Sequence, residues 1–348
     1  VLLGGMSYLI FKRFQQIASS IHITQPIALM DQPAERWKRV ILLALGQKKM
    51  FQKPLVGFFH FLIYIGFVLI NVEILEIIID GIAGTHRIFA PLLGNVYPFL
   101  LNFFELLSLS VFIACVVFFA RRAILSLGRL QADQHPELKG FPIQDAYTIL
   151  FIEVILMMAL WTMNASDAVL QNRNVDHYST VGTFIVSENF IPFFESFSTG
   201  TLMLIERLAW WFHIAGILSF ALYVTYSKHL HIFFAFPAVY YSNIDSSAHM
   251  AEMPHVTNEV NIMLGKPGEP SNPDLKFGAQ DIKDLTIKNA LDAYSCTECG
   301  RCTEQCPANQ TGKALSPRKI MMDTRDRLEE LQKDPNSTNV LLGNYISA

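Results

Sequence analysis

PLVGFFHFLIYIGFVLINVEILEIII, residues 54–79, is the stretch from which the fold is read. Its charged side chains are Glu73 and Glu76, both toward its C-terminal end. It is long enough to cross the hydrocarbon of a bilayer, for which about 20 mostly apolar residues suffice. Three further runs have the same character: Asn95–Ala120, Asp145–Leu170 and Thr201–Tyr226. The last reads on as an apolar, aromatic helix toward Phe236. A shorter run, Val1–Phe11, reads as the tail of a first transmembrane helix that begins before residue 1. The fold class is therefore an all-α membrane protein with a bundle of about five transmembrane helices. Buried helices of a large soluble protein are the competing reading, but only 16% of the residues are charged and 51% are hydrophobic, against about 25% charged in an average soluble domain. The net charge of −3 gives no ground for a nucleic-acid partner.

Basic residues orient the bundle. Lys12, Arg13, Arg36, Lys38, Arg39, Lys48, Lys49 and Lys53 lie between the first two helices, and Arg121, Arg122, Arg129 and Lys139 between the third and fourth. The opposite loops hold only Arg87 and Arg173. Basic loops stay in the cytoplasm, which puts everything after about Lys228 on the cytoplasmic side of a bacterial inner membrane. Residues 34–45, mixing Trp37, Ile41 and Leu42 with cations, suit a helix lying on the membrane surface. Residues 181–198, rich in aromatics, read as an outer surface segment.

After Phe236 the character changes. Residues 237–279 form a linker marked by Pro254, Pro267, Pro270 and Pro273. Residues 280–294 read as a helix with Ile282, Leu285, Ala290, Leu291 and Tyr294 near one face. Then comes the strongest chemical signal, Cys296-x-x-Cys299-x-x-Cys302-x-x-x-Cys306-Pro307, which gathers four of the five cysteines into eleven residues. Clustering of this kind points to a metal site rather than a disulfide framework. The spacing is the bacterial ferredoxin run for a [4Fe–4S] cluster; zinc more often takes paired C-x-x-C knuckles well separated in sequence. In two-cluster ferredoxins the fourth cysteine serves the other cluster, so a second motif beyond Ala348 is expected. Residues 280–348 are thus read as a small α-helical, ferredoxin-like domain, and residues 1–236 as the membrane domain.

Three of the ten histidines fall on apolar helices: His60, His213 and His231. The interval from 213 to 231 is five turns at about 3.6 residues each, which on one straight helix puts both rings on one face, about 27 Å apart. His60 and His231 lie at similar depth and read as the axial pair of a haem b; bis-histidine ligation leaves electron transfer as the role. His213 has no partner at the corresponding place, Ile70, so a second haem is left open and His213 is alternatively a quinone contact. His22, His86, His135, His177, His249 and His255 read as solvated loop residues. Glu73, Glu105 and Glu153 are candidates for a proton path, because ionisable groups within the membrane are costly and usually functional. Glu76 reads as a paired helix-end carboxylate, Glu206 and Arg207 as a pair, and Cys115 as packing.

These residues resemble a known family. Gly57-Phe58-Phe59-His60, Arg207 before His213 and the interval to His231 are similar to the haem b (gamma) subunit of respiratory nitrate reductase and to the cytochrome subunit of heterodisulfide reductase. Leu291-Asp292-Ala293-Tyr294-Ser295-Cys296, the cysteine run and Leu315-Ser316-Pro317-Arg318-Lys319-Ile320 resemble the ferredoxin-like iron–sulfur subunit of heterodisulfide reductase. The resemblance implies a fusion of the two, of the kind found in membrane-bound Fe–S oxidoreductases. It implies His60 and His231 as ligands of the inner haem, menaquinone as substrate, and a soluble cytoplasmic redox subunit containing Fe–S or flavin as partner. The expected function is electron transfer between menaquinone and that partner through haem b and [4Fe–4S]. Two alternatives stand beside it: a complete Fe–S oxidoreductase acting on a small substrate, and a non-redox membrane anchor with a structural cluster.

Overall fold

The structure is a computed structural model and describes residues 1–27, 31–125, 127–245, 253–269 and 278–347. In chain order the helices are α1 (Leu2–Ile21), α2 (Pro33–Arg39), α3 (Pro54–Leu69), α4 (Asn71–Ala83), α5 (Phe89–Leu93), α6 (Tyr97–Ala123), α7 (Phe141–Asn172), α8 (Ile191–Phe194), α9 (Thr199–Val224), α10 (His231–Tyr240), α11 (Pro254–Met263), α12 (Ile287–Tyr294), α13 (Arg301–Glu304), α14 (Pro307–Gln310) and α15 (Pro317–Lys333). About 72% of the described residues are helical and no strand forms among them, as the all-α reading requires. Contacts divide the chain into two units, Val1–Ile10 with Gln47–Ser227, and Phe11–Gly46 with Lys228–Ala348. Phe11–Gly46 thus groups with the cysteine-bearing part.

The first unit holds four segments long and apolar enough to cross a membrane: Pro54–Ala83, Phe89–Ala123, Phe141–Asn172 and Thr199–Val224. Pro54, Pro98 and Pro142 stand in the first turns of α3, α6 and α7, where a missing N–H breaks no helical bond. α3 packs on α6, α6 on α7, and α7 on α9. Glycine allows two of these approaches: a Cβ on Gly66 would collide with Val111 Cγ2, and one on Gly216 would lie 2.7 Å from Leu156 Cδ2. Small residues at helix contacts are how membrane helices come close enough to gain packing energy. Val111, Leu156, Leu160 and Ile214 fill the interior, while Phe99, Phe151, Leu204 and Trp211 lie exposed, the apolar outside that lipid covers.

Four segments among the described residues meet the length and apolarity of a span, and α1, expected as the tail of a fifth, is not one of them. The run Val1–Phe11 continues as helix to Ile21, and its buried residues, Arg13, Ile17, Ser20 and Ile21, all fall in the polar second half. Nor does the last membrane helix run on to Phe236. It ends at Val224, a 3-10 turn spans Lys228–Leu230, and α10 starts afresh at His231. Hydroxyls bring about the break: Thr225 Oγ1 donates to the Leu222 carbonyl at 2.7 Å and Ser227 Oγ to that of Val224 at 3.2 Å, bonds that compete with helical continuation. His213 and His231 therefore do not stand on one face of one straight helix, as their spacing suggested.

In the second unit α12 packs on α10 and α15. Ile17 and Ile21 of α1, Leu230, Ile282, Leu291, Tyr294, Leu328 and Leu331 form its core. The region read as one helix over 280–294 is a 3-10 turn, Ile282–Asp284, followed by α12, which opens on a capping box between Thr286 and Asn289. Polar bonds tie α1 in: Ser20 Oγ and Tyr294 Oη lie 2.7 Å apart, and Arg13 donates to both Glu329 oxygens at 2.9 and 2.7 Å. α2 is held by the buried Arg36, which donates to the carbonyls of Tyr240 and Ser242 at 3.0 and 2.9 Å. Trp37, Ile41, Leu42 and Leu45 stay exposed. Within the linker, α11 is described; Pro270, Pro273 and His249 lie outside the described residues.

Candidate functional site

The four cysteines occupy the loop from the end of α12 to the start of α14. Gly300 (φ 74°) turns the chain into α13, a left-handed conformation that glycine takes without penalty. Cys302 then lies on α13, and Cys306 caps α14 with Pro307 as its first residue. Glu298 also adopts a positive φ, 55°, and its N–H donates to Cys296 Sγ at 3.4 Å. All four thiols are free; Cys296 and Cys306 are half-buried, Cys299 and Cys302 exposed. Among the described residues no three His, Cys, Asp or Glu side chains converge on one metal position. The fold thus brings the four thiols into one loop without closing them on a centre. Thiol-only chemistry, the N–H donated to sulfur and the glycine-permitted turn fit an iron–sulfur group better than hard-cation binding. Burial pushes the Cys296 thiol up to about 11, so binding a metal there must displace a proton.

Each ring of the histidine trio is placed differently. His213 is buried between α9 and α7, with Nδ1 3.0 Å from the Leu156 carbonyl. His231, at the first position of α10, has Nδ1 2.9 Å from the Lys228 carbonyl. A ring nitrogen facing a carbonyl carries the proton, which leaves Nε2 with its lone pair outward in both rings, the form a metal-bound imidazole takes. His60 is half-buried near the start of α3. Its turn is fixed by Gly57, where a Cβ would lie 2.7 Å from the backbone oxygen of Met50.

A polar cluster lies at one end of the first unit, where α4, α7 and α9 meet residues 85–87. Glu73, Glu76 and Asp80 of α4, Asp167 of α7, Glu206, Arg207 and Trp210 of α9, and His86 and Arg87 line a cavity of about 30 Å³, room enough for water. Arg87 (φ 56°) is buried; its Nη2 donates to Asp167 Oδ2 at 2.9 Å and to Asn164 Oδ1 at 2.8 Å. Asp80 accepts the backbone N–H groups of Arg87 and Ile88 at 2.8 and 3.1 Å, fixing this turn. His86 is not the solvated loop residue expected from sequence. Its side chain is 8% exposed, with Nε2 3.2 Å from Asp167 Oδ1, and its Nδ1 is buried with no hydrogen-bond partner among the described residues. Glu206 pairs with Arg207 at 2.7 Å and accepts from Tyr178 Oη at 3.0 Å. Burial and Glu206 push the Tyr178 phenol up to about 12, keeping it a donor. His177, by contrast, is exposed.

The three carboxylates read as a proton path do not share one environment. Glu73 lines the cavity. Glu105, 1% exposed, accepts the N–H groups of Val186 and Ser187 at 2.7 and 3.1 Å, the Asn164 amide at 3.0 Å and the Ser187 hydroxyl. It pins residues 184–187 into the bundle, so this segment is folded in, with Phe184, Val186 and Phe194 buried. Glu153 is half-buried on α7, 14 residues before Asp167, about 21 Å along the helix axis. Glu76 is paired as read, accepting from Tyr97 Oη at 2.8 Å and the Phe89 N–H at 2.9 Å. Cys115 is buried in the apolar core.

Comparison with known proteins places the chain in a chemical class. It is 31% identical over 296 residues to a probable iron-sulfur-binding oxidoreductase, FadF, of Bacillus subtilis, covering 85% of this chain and 37% of that protein. It is 28% identical over 299 residues to an EtfAB:quinone oxidoreductase of Syntrophomonas wolfei, covering 83% of this chain and 37% of that protein. The chain thus spans little more than a third of the length of the curated relatives it matches. No family model matches it, and no solved structure does. Similarity to iron–sulfur oxidoreductases and four potential membrane spans together fit a membrane protein with an electron-transfer role.

Proposed function

We propose that this chain passes electrons between a quinone in the membrane and a soluble redox partner, using a [4Fe–4S] cluster held by Cys296, Cys299, Cys302 and Cys306, and a haem b with His60 and His231 as its ligands. The relatives' names support the cluster and the quinone, and the second name supports a partner of the EtfAB kind. The haem rests on the sequence reading of His60 and His231. The reading includes a bacterial inner membrane with the cysteine loop on the cytoplasmic side.

The observation that carries the quinone assignment is His86 Nδ1, a buried nitrogen without a partner among the described residues, beside a cavity between membrane helices. Asp167 accepts a hydrogen bond from Nε2–H and so fixes the tautomer, leaving Nδ1 as an acceptor. A quinol hydroxyl reaching that nitrogen would give its proton to the ring, and Asp167 would stabilise the imidazolium. In the reverse direction the charged ring donates to a quinone oxygen. Bound cluster and haem supply one-electron steps, two for each quinol that also releases two protons.

The test is an iron assay and a reduced-minus-oxidised spectrum of the purified chain, with quinone-linked oxidation measured for wild type and His86→Gln. The reading expects iron lost in Cys302→Ser, b-type haem lost in His60→Ala and in His231→Ala, and quinone turnover at least tenfold lower in His86→Gln with both cofactors retained. A chain reconstituted with iron that shows no haem removes the haem from the pathway. Wild-type quinone turnover in His86→Gln removes the cavity from it.

A further inference from the structure

Glu298 stands between two cluster-motif cysteines, yet its side chain is only 2% exposed. It has a left-handed backbone, which costs any residue with a Cβ more than glycine. Two cations meet it. Lys228 Nζ lies 2.7 Å from Oε2, and Arg325 Nη2 lies 3.0 Å from Oε1. Lys228 is 11% exposed and Arg325 18%. The Glu298 backbone N–H meanwhile binds Cys296 Sγ. One residue therefore grips a thiol with its main chain and two scaffold cations with its side chain.

The cations belong to different parts of the second unit. Arg325 comes from α15, which packs against α12 and α13. Lys228 opens the turn before α10, and its carbonyl is the oxygen that faces His231 Nδ1 at 2.9 Å. A chain of short contacts thus runs from Cys296 through Glu298 and Lys228 to the His231 ring. Nothing in the motif demands a carboxylate at this place, since the ferredoxin run leaves the residues between its cysteines open.

We propose that Glu298 is a positioning residue: with Lys228 and Arg325 it clamps the cysteine loop to the segment that carries His231, and the balance of these charges sets the potential of the group the loop binds. This rests on the proposed iron–sulfur function, and the role of His231 within it rests on the haem. Removing Lys228 or Glu298 alters the charge beside the loop in opposite senses. Lys228→Met removes one positive charge, leaving Glu298 balanced by Arg325 alone, and disfavours reduction. Glu298→Gln leaves an excess of positive charge and favours it. A residue acting only in folding would not give opposite signs.

The experiment uses the full chain in lipid nanodiscs, loaded with iron and sulfide, in wild-type, Lys228→Met, Lys228→Arg and Glu298→Gln forms. Iron content, the midpoint of the reduced-cluster electron paramagnetic resonance signal, and amide hydrogen exchange over residues 295–306 are read. The expected result is full iron in Lys228→Met with a lowered midpoint and loop exchange about tenfold faster, both restored in Lys228→Arg, and a raised midpoint in Glu298→Gln. Unchanged midpoints and unchanged loop exchange in iron-loaded Lys228→Met overturn the proposal. If Glu298→Gln does not take up iron, the two Lys228 variants decide. These readouts need no haem, so a missing haem band counts against the proposed pathway and not against the clamp. Absence of iron from the wild type sinks the iron–sulfur reading itself, and the clamp's proposed role with it.

Discussion

Replacing Glu105 by glutamine separates two roles for this carboxylate. If Glu105 relays protons, an isosteric amide leaves the fold intact and stops the relay. The structure assigns it a different role. One oxygen accepts two backbone N–H groups, from Val186 at 2.7 Å and Ser187 at 3.1 Å; the other accepts from the Asn164 amide at 3.0 Å and from the Ser187 hydroxyl. A glutamine can turn its oxygen to the two N–H groups and let the Ser187 hydroxyl accept from its nitrogen. That nitrogen then faces the Asn164 amide, which cannot flip without losing its bond from Arg87 at 2.8 Å. Two hydrogen bonds to a charge, about 1.5–3 kcal/mol each, become neutral ones worth about 1 kcal/mol, and one donor is left opposed. The expected loss is about 3 kcal/mol for Glu105→Gln, more for Glu105→Ala, read from equilibrium unfolding in mixed detergent micelles. Protease sensitivity across residues 181–190 rises in parallel, since those residues lose their anchor. A glutamine variant of wild-type stability that has lost proton-coupled quinone turnover would refute this reasoning and restore Glu105 to a proton path.

Arg87→Met leaves the buried Asp167 with His86 and Gln171 as its partners among the described residues, and costs about 3 kcal/mol, near the low end for breaking a buried pair; adding Asp167→Asn recovers most of it, which a double-mutant cycle by the same unfolding assay detects as coupling. Gly57→Ala sets a methyl 2.7 Å from the Met50 carbonyl oxygen, costing about 1–3 kcal/mol by overpacking, and shifts the turn that bears His60, so thermal stability and any haem content fall together. Hydrogen bonds from Tyr345, Ser337 and Arg327 hold Glu330 down to about 2, from an ordinary 4.5. A depressed carboxyl contributes stability above its unfolded value and loses it as pH falls through the folded one; the thermal stability of the second unit is therefore expected to fall from pH 4.5 toward 2, and Glu330→Gln to flatten that dependence.

The parts legible in the sequence are those whose physics is local. A membrane span is set by its own length and apolarity, and all four of the full-length runs read from sequence form helical segments long and apolar enough to cross. The cysteine loop is likewise contained in eleven residues. Misread parts depend on partners far along the chain. The second half of α1 could not be placed from sequence, because its partners Tyr294 and Glu329 lie 274 and 316 residues away from Ser20 and Arg13. His86 sits in a polar stretch that by itself suggests solvent, yet Asp167 on α7 draws it into the bundle. The break after Val224 was readable in principle from Thr225 and Ser227, whose hydroxyls cap the preceding turn; the surrounding apolar residues masked it. Glu298 offers no signal of its own, because a glutamate in a polar loop is ordinary until both its cations are placed.

The distribution of charge in the first unit bears on what that unit does. Along most of its length it buries apolar side chains, and lipid-facing positions are apolar too. At the cavity the rule is reversed: carboxylates from α4, α7 and α9 outnumber the two guanidiniums that face them. Burying charge is costly unless it is paired, and a purely structural polar knot would be expected to balance its signs, as Arg87 and Asp167 do. An excess of carboxylates around this cavity, beside an imidazole with one nitrogen unpaired among the described residues, is instead a place where added protons find acceptors. Quinone chemistry moves protons together with electrons, so it needs such acceptors at the point of reaction. Under the proposed function this end of the bundle would meet that need, whereas the mid-helix Glu153 stands about 21 Å from Asp167 along α7, too far to share a proton with it directly.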